Sequence, residues 1–196
     1  MYGSLDALAR HEAELTAHAL CRLGEIDGVE LYGLTDPERA GDRVGVILPN
    51  CAQFVIAFFG VLKAGGVVVA LNPAFPPARW ADQMRDSGVE TVIALARHYE
   101  GLNAIRGTTP LRQAILTPFD QFHPVEHRAE RPRKALAEGD RWLPDLLDEY
   151  SPGQRPAVDI DPAQDSAIFQ YTGGTTGVPK AARAPHKALV ANSLQF

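Results

Sequence analysis

Four short runs of aliphatic and β-branched residues recur along the chain: "RVGVIL" from Arg43, "VVVAL" from Val67, "ETVIAL" from Glu90 and "RQAILT" from Arg112. Between them lie segments of helical length, and this alternation constrains the fold more than any other feature. Apolar runs of five or six residues that do not alternate with polar ones need cover on both faces, which a largely parallel sheet flanked by helices supplies. The expected architecture is therefore α/β, a mainly parallel sheet with flanking helices and successive βα units, with buried strands at Val44 to Leu48, Val67 to Leu71, Val89 to Leu95, Gln113 to Leu116 and Ala167 to Gln170.

The punctuation agrees. "PN" ends the first run, with Asn50 as the expected N-cap of an apolar helix, "CAQFVIAFFGVLKAGG", closed by Gly65 and Gly66. "NPAFPP" breaks the second run, and "ARWADQMRDSG" follows as a helix ending at Gly88; another helix is expected over Arg97 to Arg106. From 118 to 162 the pattern fails. That segment, rich in Pro, Arg and Glu, is expected to be an irregular surface excursion, with one short amphipathic stretch, "GDRWLPDLLDEY", docking back through Trp142, Leu146 and Leu147. Order returns at "DSAIFQYT", a strand that ends at Thr172, and "PHKALVANSLQF" can start a helix with Pro185 near its first turn.

With 196 residues, 45% of them apolar, the chain can bury a core, and the longest apolar run, Phe54 to Leu62, is too short to span a bilayer. The formal charge of −5 comes from 19 basic and 24 acidic residues without long runs of one sign, so no nucleic-acid partner is expected. Cys21 and Cys51 lie far apart and in no metal-binding spacing, which argues against disulfide frameworks and zinc sites and makes a reducing cytoplasm the expected location.

The strand ending at Thr172 delivers "TGGTTGVPK" at its carboxyl end, the usual place for ligands in open α/β sheets. Gly173, Gly174 and Gly177 let backbone N–H groups approach a ligand closely. Thr172, Thr175 and Thr176 offer hydroxyls, and Lys180 a mobile positive charge; together they suit a polyphosphate. The Walker pattern GxxxxGK[ST] does not fit, because the sixth position is Val178 counting from Gly173 and Pro179 counting from Gly174. A plain Gly/Thr turn is the competing reading. The density of hydroxyls weighs against it, as does a lysine in a chain whose only others are Lys63, Lys134 and Lys187.

"YTGGTTGVPK" resembles the phosphate-binding signature of the adenylate-forming (AMP-binding) superfamily, and with Gln170 and Gly173 it is most similar to bacterial long-chain fatty-acid CoA ligases. The stretch from Gly41 through "GVETVIA", and "GDRWLPDLL" later, are similar to the first part of that family's large domain. The resemblance implies ATP, Mg and CoA as cofactors and a fatty acid as substrate: the carboxylate attacks the α-phosphorus of ATP, diphosphate leaves, and the CoA thiol displaces AMP. It assigns Thr172, Gly173, Gly174, Thr175, Thr176 and Gly177 to a cradle for the β- and γ-phosphates and Lys180 to charge compensation, with the metal ligands and adenine contacts elsewhere. It also allows peripheral membrane contact. "AARAPH" departs from the pattern after Lys180: Ala181 replaces a glycine, and Arg183 and Pro185 alter the approach to His186, read as a helix-start residue. Asn50, Cys51 and Asn72 read as cap, core and turn residues.

By the same resemblance the adenine-binding strand, acidic metal ligand, hinge and small C-terminal domain would follow Phe196. The expectation is a partial AMP-binding domain over 41–196, not active alone and self-associating through uncovered surfaces. Residues 1–40 read separately, as a leading helix and strand. "LARHEAELTAHALCRLGEIDGVELYGLTDPERA" resembles a C-terminal stretch of cysteine desulfurases, without a pyridoxal site; the alternative is a divergent leading helix with Leu5, Leu8, Leu15, Ala19 and Leu23 near one face. A polyphosphate-binding module without turnover and an inactive chimera remain as the other readings.

Overall fold

In the computed structural model of the chain, residues 41–122, 135–150, 158–172 and 180–195 are described. The leading segment 1–40, and with it the desulfurase-like stretch and the alternative amphipathic helix, lies outside them. β1 (Arg43–Ile47), β2 (Val67–Ala70), β3 (Thr91–Leu95) and β4 (Gln113–Thr117) form from the four aliphatic and β-branched runs of the sequence. α1 (Ala52–Lys63), α2 (Pro77–Ser87) and α3 (Tyr99–Arg106) alternate with them. β5 (Arg141–Trp142), α4 (Leu143–Glu149), β6 (Ser166–Thr172), β7 (Lys180–Pro185) and α5 (His186–Ser193) follow. The seven strands form one sheet in the order β5-β4-β3-β1-β2-β6-β7. The described pairs are parallel except β6 with β7, which is antiparallel.

Side-chain alternation sorts the strands' residues between two cores. Val44 and Val46 of β1, Val68 of β2, Ile93 and Leu95 of β3 and Ile168 of β6 pack with α1 residues Ala57 and Val61, and Leu189 of α5 joins from the rim. On the opposite face, Ile47, Val69, Val92, Ala94, Ala114 and Leu116 pack with Trp80, Ala81 and Met84 of α2 and Leu102 and Ile105 of α3. Gly45 belongs to this second face and has no room for a side chain: a Cβ there would stand 3.0 Å from Val92 Cγ2 and 3.1 Å from Val89 Cγ1. Helix ends follow local chemistry. Pro77 at the start of α2 needs no N–H partner, and Gly88 closes that helix at φ 69°, a conformation glycine adopts without strain.

Three features differ from the sequence reading. The N-cap of α1 is Cys51 rather than Asn50, and it makes no side-chain cap bond; Gln53 of the first turn, 1% exposed, instead donates through Nε2 to the carbonyls of Pro118 (2.8 Å) and Phe119 (3.0 Å) just past β4. Within 118–162, Arg141–Trp142 adds an edge strand parallel to β4, with Leu143 and Pro144 buried and Leu146 and Leu147 half-buried. The cause is Asp140, whose fully buried carboxylate accepts from Ala114 N (2.8 Å), Tyr99 Oη (2.8 Å) and Arg106 Nη2 (2.7 Å). Tyr99 Oη in turn accepts from Ala137 N at 2.7 Å. Finally, Lys180–Pro185 is a strand, where the sequence reading had only an altered approach to a helix.

Two outcomes follow for stability. Val69 is fully buried between β1 and β6, so Val69→Asp places an unpaired charge in the core and lowers the unfolding free energy by roughly 3 to 5 kcal/mol, readable as a shift of the urea midpoint. Asp140→Ala strands Tyr99, Arg106 and the Ala114 amide together and costs about 3 kcal/mol in the same measurement.

Candidate functional site

β6 runs parallel to β2, so Thr172 ends at the edge of the sheet where β1 to β4 also finish. β7 returns beside it in antiparallel register, pairing Thr172 with Lys180, Tyr171 with Ala181 and Gln170 with Ala182. The strand ends thus set Thr172, the first residue of the expected cradle, directly opposite Lys180, the expected charge-compensating residue. Lys180 is exposed at the first position of β7. Gly173, Gly174, Thr175, Thr176 and Gly177 lie outside the described residues, as does the side chain of Thr172.

The residues after Lys180 that break the signature have ordinary structural places. Ala181 sits in extended strand, and among the described residues no non-glycine backbone has positive φ, so its β-carbon meets no conformational obstacle. Arg183 donates through Nη2 to the Gln164 carbonyl at 2.5 Å. Pro185 occupies the N-cap of α5, and His186 opens the helix with its N–H on the Asp165 carbonyl at 3.3 Å, while Lys187 N bonds Pro162 O at 2.8 Å. These bonds hold the 161–165 turn against the β7–α5 junction.

Along the same carboxyl edge the polar groups are already engaged. Asn72 Oδ1 accepts from Ala74 N at 2.8 Å, an Asx-type turn, and its carbonyl accepts from Trp80 Nε1 at 2.9 Å. Cys51 is half-buried with a free thiol against the α1 side of the core. His98 stands edge-on to Trp80, with ring centroids 5.0 Å apart, and Arg97 Nε approaches its Nε2 at 3.4 Å. Among the described residues no cluster of three or more His, Cys, Asp or Glu could hold a metal ion, and no helix is long and apolar enough to cross a membrane. A shallow polar pocket of about 160 Å³ between Asp42, Arg43, Gly88 and Glu90 lies at the opposite, amino-terminal ends of β1 and β3.

Tyr171 is the neighbour of the loop that sequence reasoning missed. Its hydroxyl lies 2.6 Å from Asp86 Oδ2 and 3.0 Å from the Gln83 carbonyl of α2. Desolvation and the hydrogen bond to Asp86 push its pKa far above the usual phenol range, so it remains a donor throughout the neutral range. The partners are 85 positions apart and carry no local signal; only the phase of β6, which puts Phe169 and Tyr171 on the α2 face, hints at the contact.

Residues 38–196 match the AMP-binding enzyme family, and the chain belongs to it. It is similar to the long-chain-fatty-acid–CoA ligase of Bacillus subtilis (strain 168), with 32% identity over 162 residues covering 78% of this chain and 29% of that protein. Its likeness to the long-chain-fatty-acid–CoA ligase of Salmonella typhimurium is 34% over 167 residues, 79% of this chain and 29% of the relative. The chain thus spans about three-tenths of the length of the curated relatives it matches. The crystal structure of a long-chain-fatty-acid-CoA ligase (FadD1) from Archaeoglobus fulgidus superposes with a TM-score of 0.63 at 25% identity, covering 80% of this chain and 27% of that one. The N-terminal domain of FACL13 from Mycobacterium tuberculosis gives 0.52 at 27%, over 74% and 31%.

His98 and His186 generate a pH dependence. Burial holds both imidazoles below their usual pKa of 6.5, aided at His98 by Arg97 and opposed at His186 by Asp165. Unfolded, each takes up its proton near that value while the folded state resists, so the unfolded chain binds more protons as pH falls and stability declines below about pH 6.5. The urea midpoint should stay level from about pH 7 to 8 and drop towards about pH 5, with a shallower drop in His98→Gln.

Proposed function

We propose that this chain carries the phosphate-binding loop of an ATP-dependent acyl-CoA ligase acting on a long-chain fatty acid. The reading rests on one observation above the others: the antiparallel β6–β7 register sets Lys180 opposite Thr172 at the ligand-bearing edge of a parallel sheet, with "GGTTGVP" between them. In this reading the amides of Gly173, Gly174 and Gly177 and the hydroxyls of Thr172, Thr175 and Thr176 take the β- and γ-phosphates. Lys180 offsets the charge that gathers on diphosphate as the fatty-acid carboxylate attacks the α-phosphorus. The identity to long-chain-fatty-acid–CoA ligases supports the substrate class.

Mg²⁺ enters this reading as the counter-ion of the nucleotide. ATP and the fatty acid are the proposed substrates and CoA the acyl acceptor, in the cytoplasm. Residues 41–196 form the partial nucleotide-handling unit and 1–40 a separate leading segment. Tested alone, the 196 residues bind polyphosphate and do not complete acyl transfer, in keeping with the three-tenths of the relatives' length that they span.

Isothermal titration with pyrophosphate and Mg·ATP tests the assignment. Lys180→Ala should weaken binding by about 1.5 to 3 kcal/mol, the worth of a charge-assisted contact, and Thr175→Val by less. Because Lys180 is exposed, its replacement should leave the unfolding midpoint of the empty protein nearly unchanged. If the loop is only a Gly/Thr turn, both variants lose stability and neither loses phosphate affinity. Pyrophosphate exchange into ATP by the chain alone would overturn the claim that it lacks turnover.

A further inference from the structure

The mouth of the β6–β7 hairpin is an overhang. Pairing of β6 with β2 covers Ile168, Phe169 and Gln170 and ends there, because β2 itself stops at Ala70. Tyr171 and Thr172 continue past it with β7 as their backbone partner, and β7 is the edge of the sheet. A two-stranded overhang is marginal without further packing. Two side-chain ties link β6 to the last turn of α2. The Arg43 guanidinium donates through Nη1 to the Ser87 carbonyl at 2.9 Å and lies over the Phe169 ring, 5.4 Å from its centre. Beyond the end of the β2 pairing, the tie is Tyr171: its ring packs against the α2 side of the core and its hydroxyl meets Asp86.

We propose that Tyr171 is a positioning residue for phosphate binding, its hydroxyl bond to Asp86 fixing the hairpin mouth that sets Thr172 opposite Lys180. The proposal rests on the phosphate-loop reading above for its ligand and on the register and the Tyr171 contacts for its geometry. Tyr171 itself touches α2, not the ligand. The exposed carboxylate of Asp86 makes the bond charge-assisted, and it takes the single phenol proton, being nearer than the Gln83 carbonyl at 3.0 Å, which already accepts from Ser87 Oγ at 2.6 Å. Because α2 is locked into the core through Trp80, Ala81 and Met84, the contact transfers the rigidity of the core to a strand end that the ladder alone holds loosely.

Tyr171→Phe keeps the ring and removes the hydroxyl; Asp86→Asn keeps an acceptor and removes the charge; Asp86→Ala removes both. Amide hydrogen exchange, the urea midpoint and the Kd for pyrophosphate are measured on each. Tyr171→Phe and Asp86→Ala should each speed exchange of the amides between Gln170 and Thr172 and between Lys180 and Ala182 about tenfold, the factor for one net hydrogen bond, and leave the β1 and β3 amides protected. Both should raise the pyrophosphate Kd about fivefold, on the order of one weakened positioning contact. The double variant should be no worse than either single one, and Asp86→Asn should recover most of the loss. Unchanged exchange at the hairpin mouth in Tyr171→Phe overturns the proposal. So does faster exchange with an unchanged Kd, which would make the contact structural only. If the unsubstituted chain itself fails to bind pyrophosphate, the phosphate-loop reading falls and the ligand role of Tyr171 with it, whatever exchange shows; that outcome is distinct from a chain that binds and ignores the substitution.

Discussion

Burial of both faces of β1 to β4 leaves this chain few places to put chemistry. Val46, Val68, Val69, Val92, Ala94, Ala114 and Leu116 are excluded from water on one face or the other, and a polar group at any of these positions would face the full cost of desolvation. Polar function is confined to the strand ends and the edges. The carboxyl ends hold Asn72, His98, the Gln53 contacts with Pro118 and Phe119, and the hairpin that carries Lys180. Asn72 and Gln53 spend their polar atoms on the protein itself, as an Asx-type turn and a tie to the end of β4.

At the other edge, the sheet is extended by charge rather than by apolar patterning. Asp140 takes the amide of Ala114 as a strand carbonyl would, and Arg106 and Tyr99 satisfy the remaining lone pairs. A buried carboxylate with this many donors specifies one arrangement, because any displacement leaves several partners unmet at once. The short β5 is held by that node and by Leu143 behind it.

The inner strands were legible from sequence because their short aliphatic and β-branched runs, bounded by Gly, Pro and Asn and separated by segments of helical length, are too short for buried helices and need cover on both sides. Edge elements were not. Arg141–Trp142 is too short to show a period, and its recruitment depends on Asp140 meeting residues more than two dozen positions away. "KAARAP" holds alanines and a proline, poor strand formers, and becomes β7 because β6 presents an unpaired edge to it. Asn50 looked like a cap by type, yet Cys51 holds that position in the backbone. At the candidate site, the residue types and spacing of "TGGTTGVPK" were readable, while the support beneath it, Tyr171 on Asp86, exists only once β6 and α2 are brought together.

The segment between β4 and β5 is fastened at both ends by contacts that do not depend on what lies between them. Gln53 grips the carbonyls of Pro118 and Phe119, and the Tyr99 hydroxyl grips the chain again at Ala137 and Asp140. A connection anchored in this way closes at an entropic cost that grows only logarithmically with its length, about 0.6 kcal/mol for each doubling. Lengthening this stretch therefore costs the sheet little, and a peptide inserted between the two fasteners would leave both sets of bonds intact.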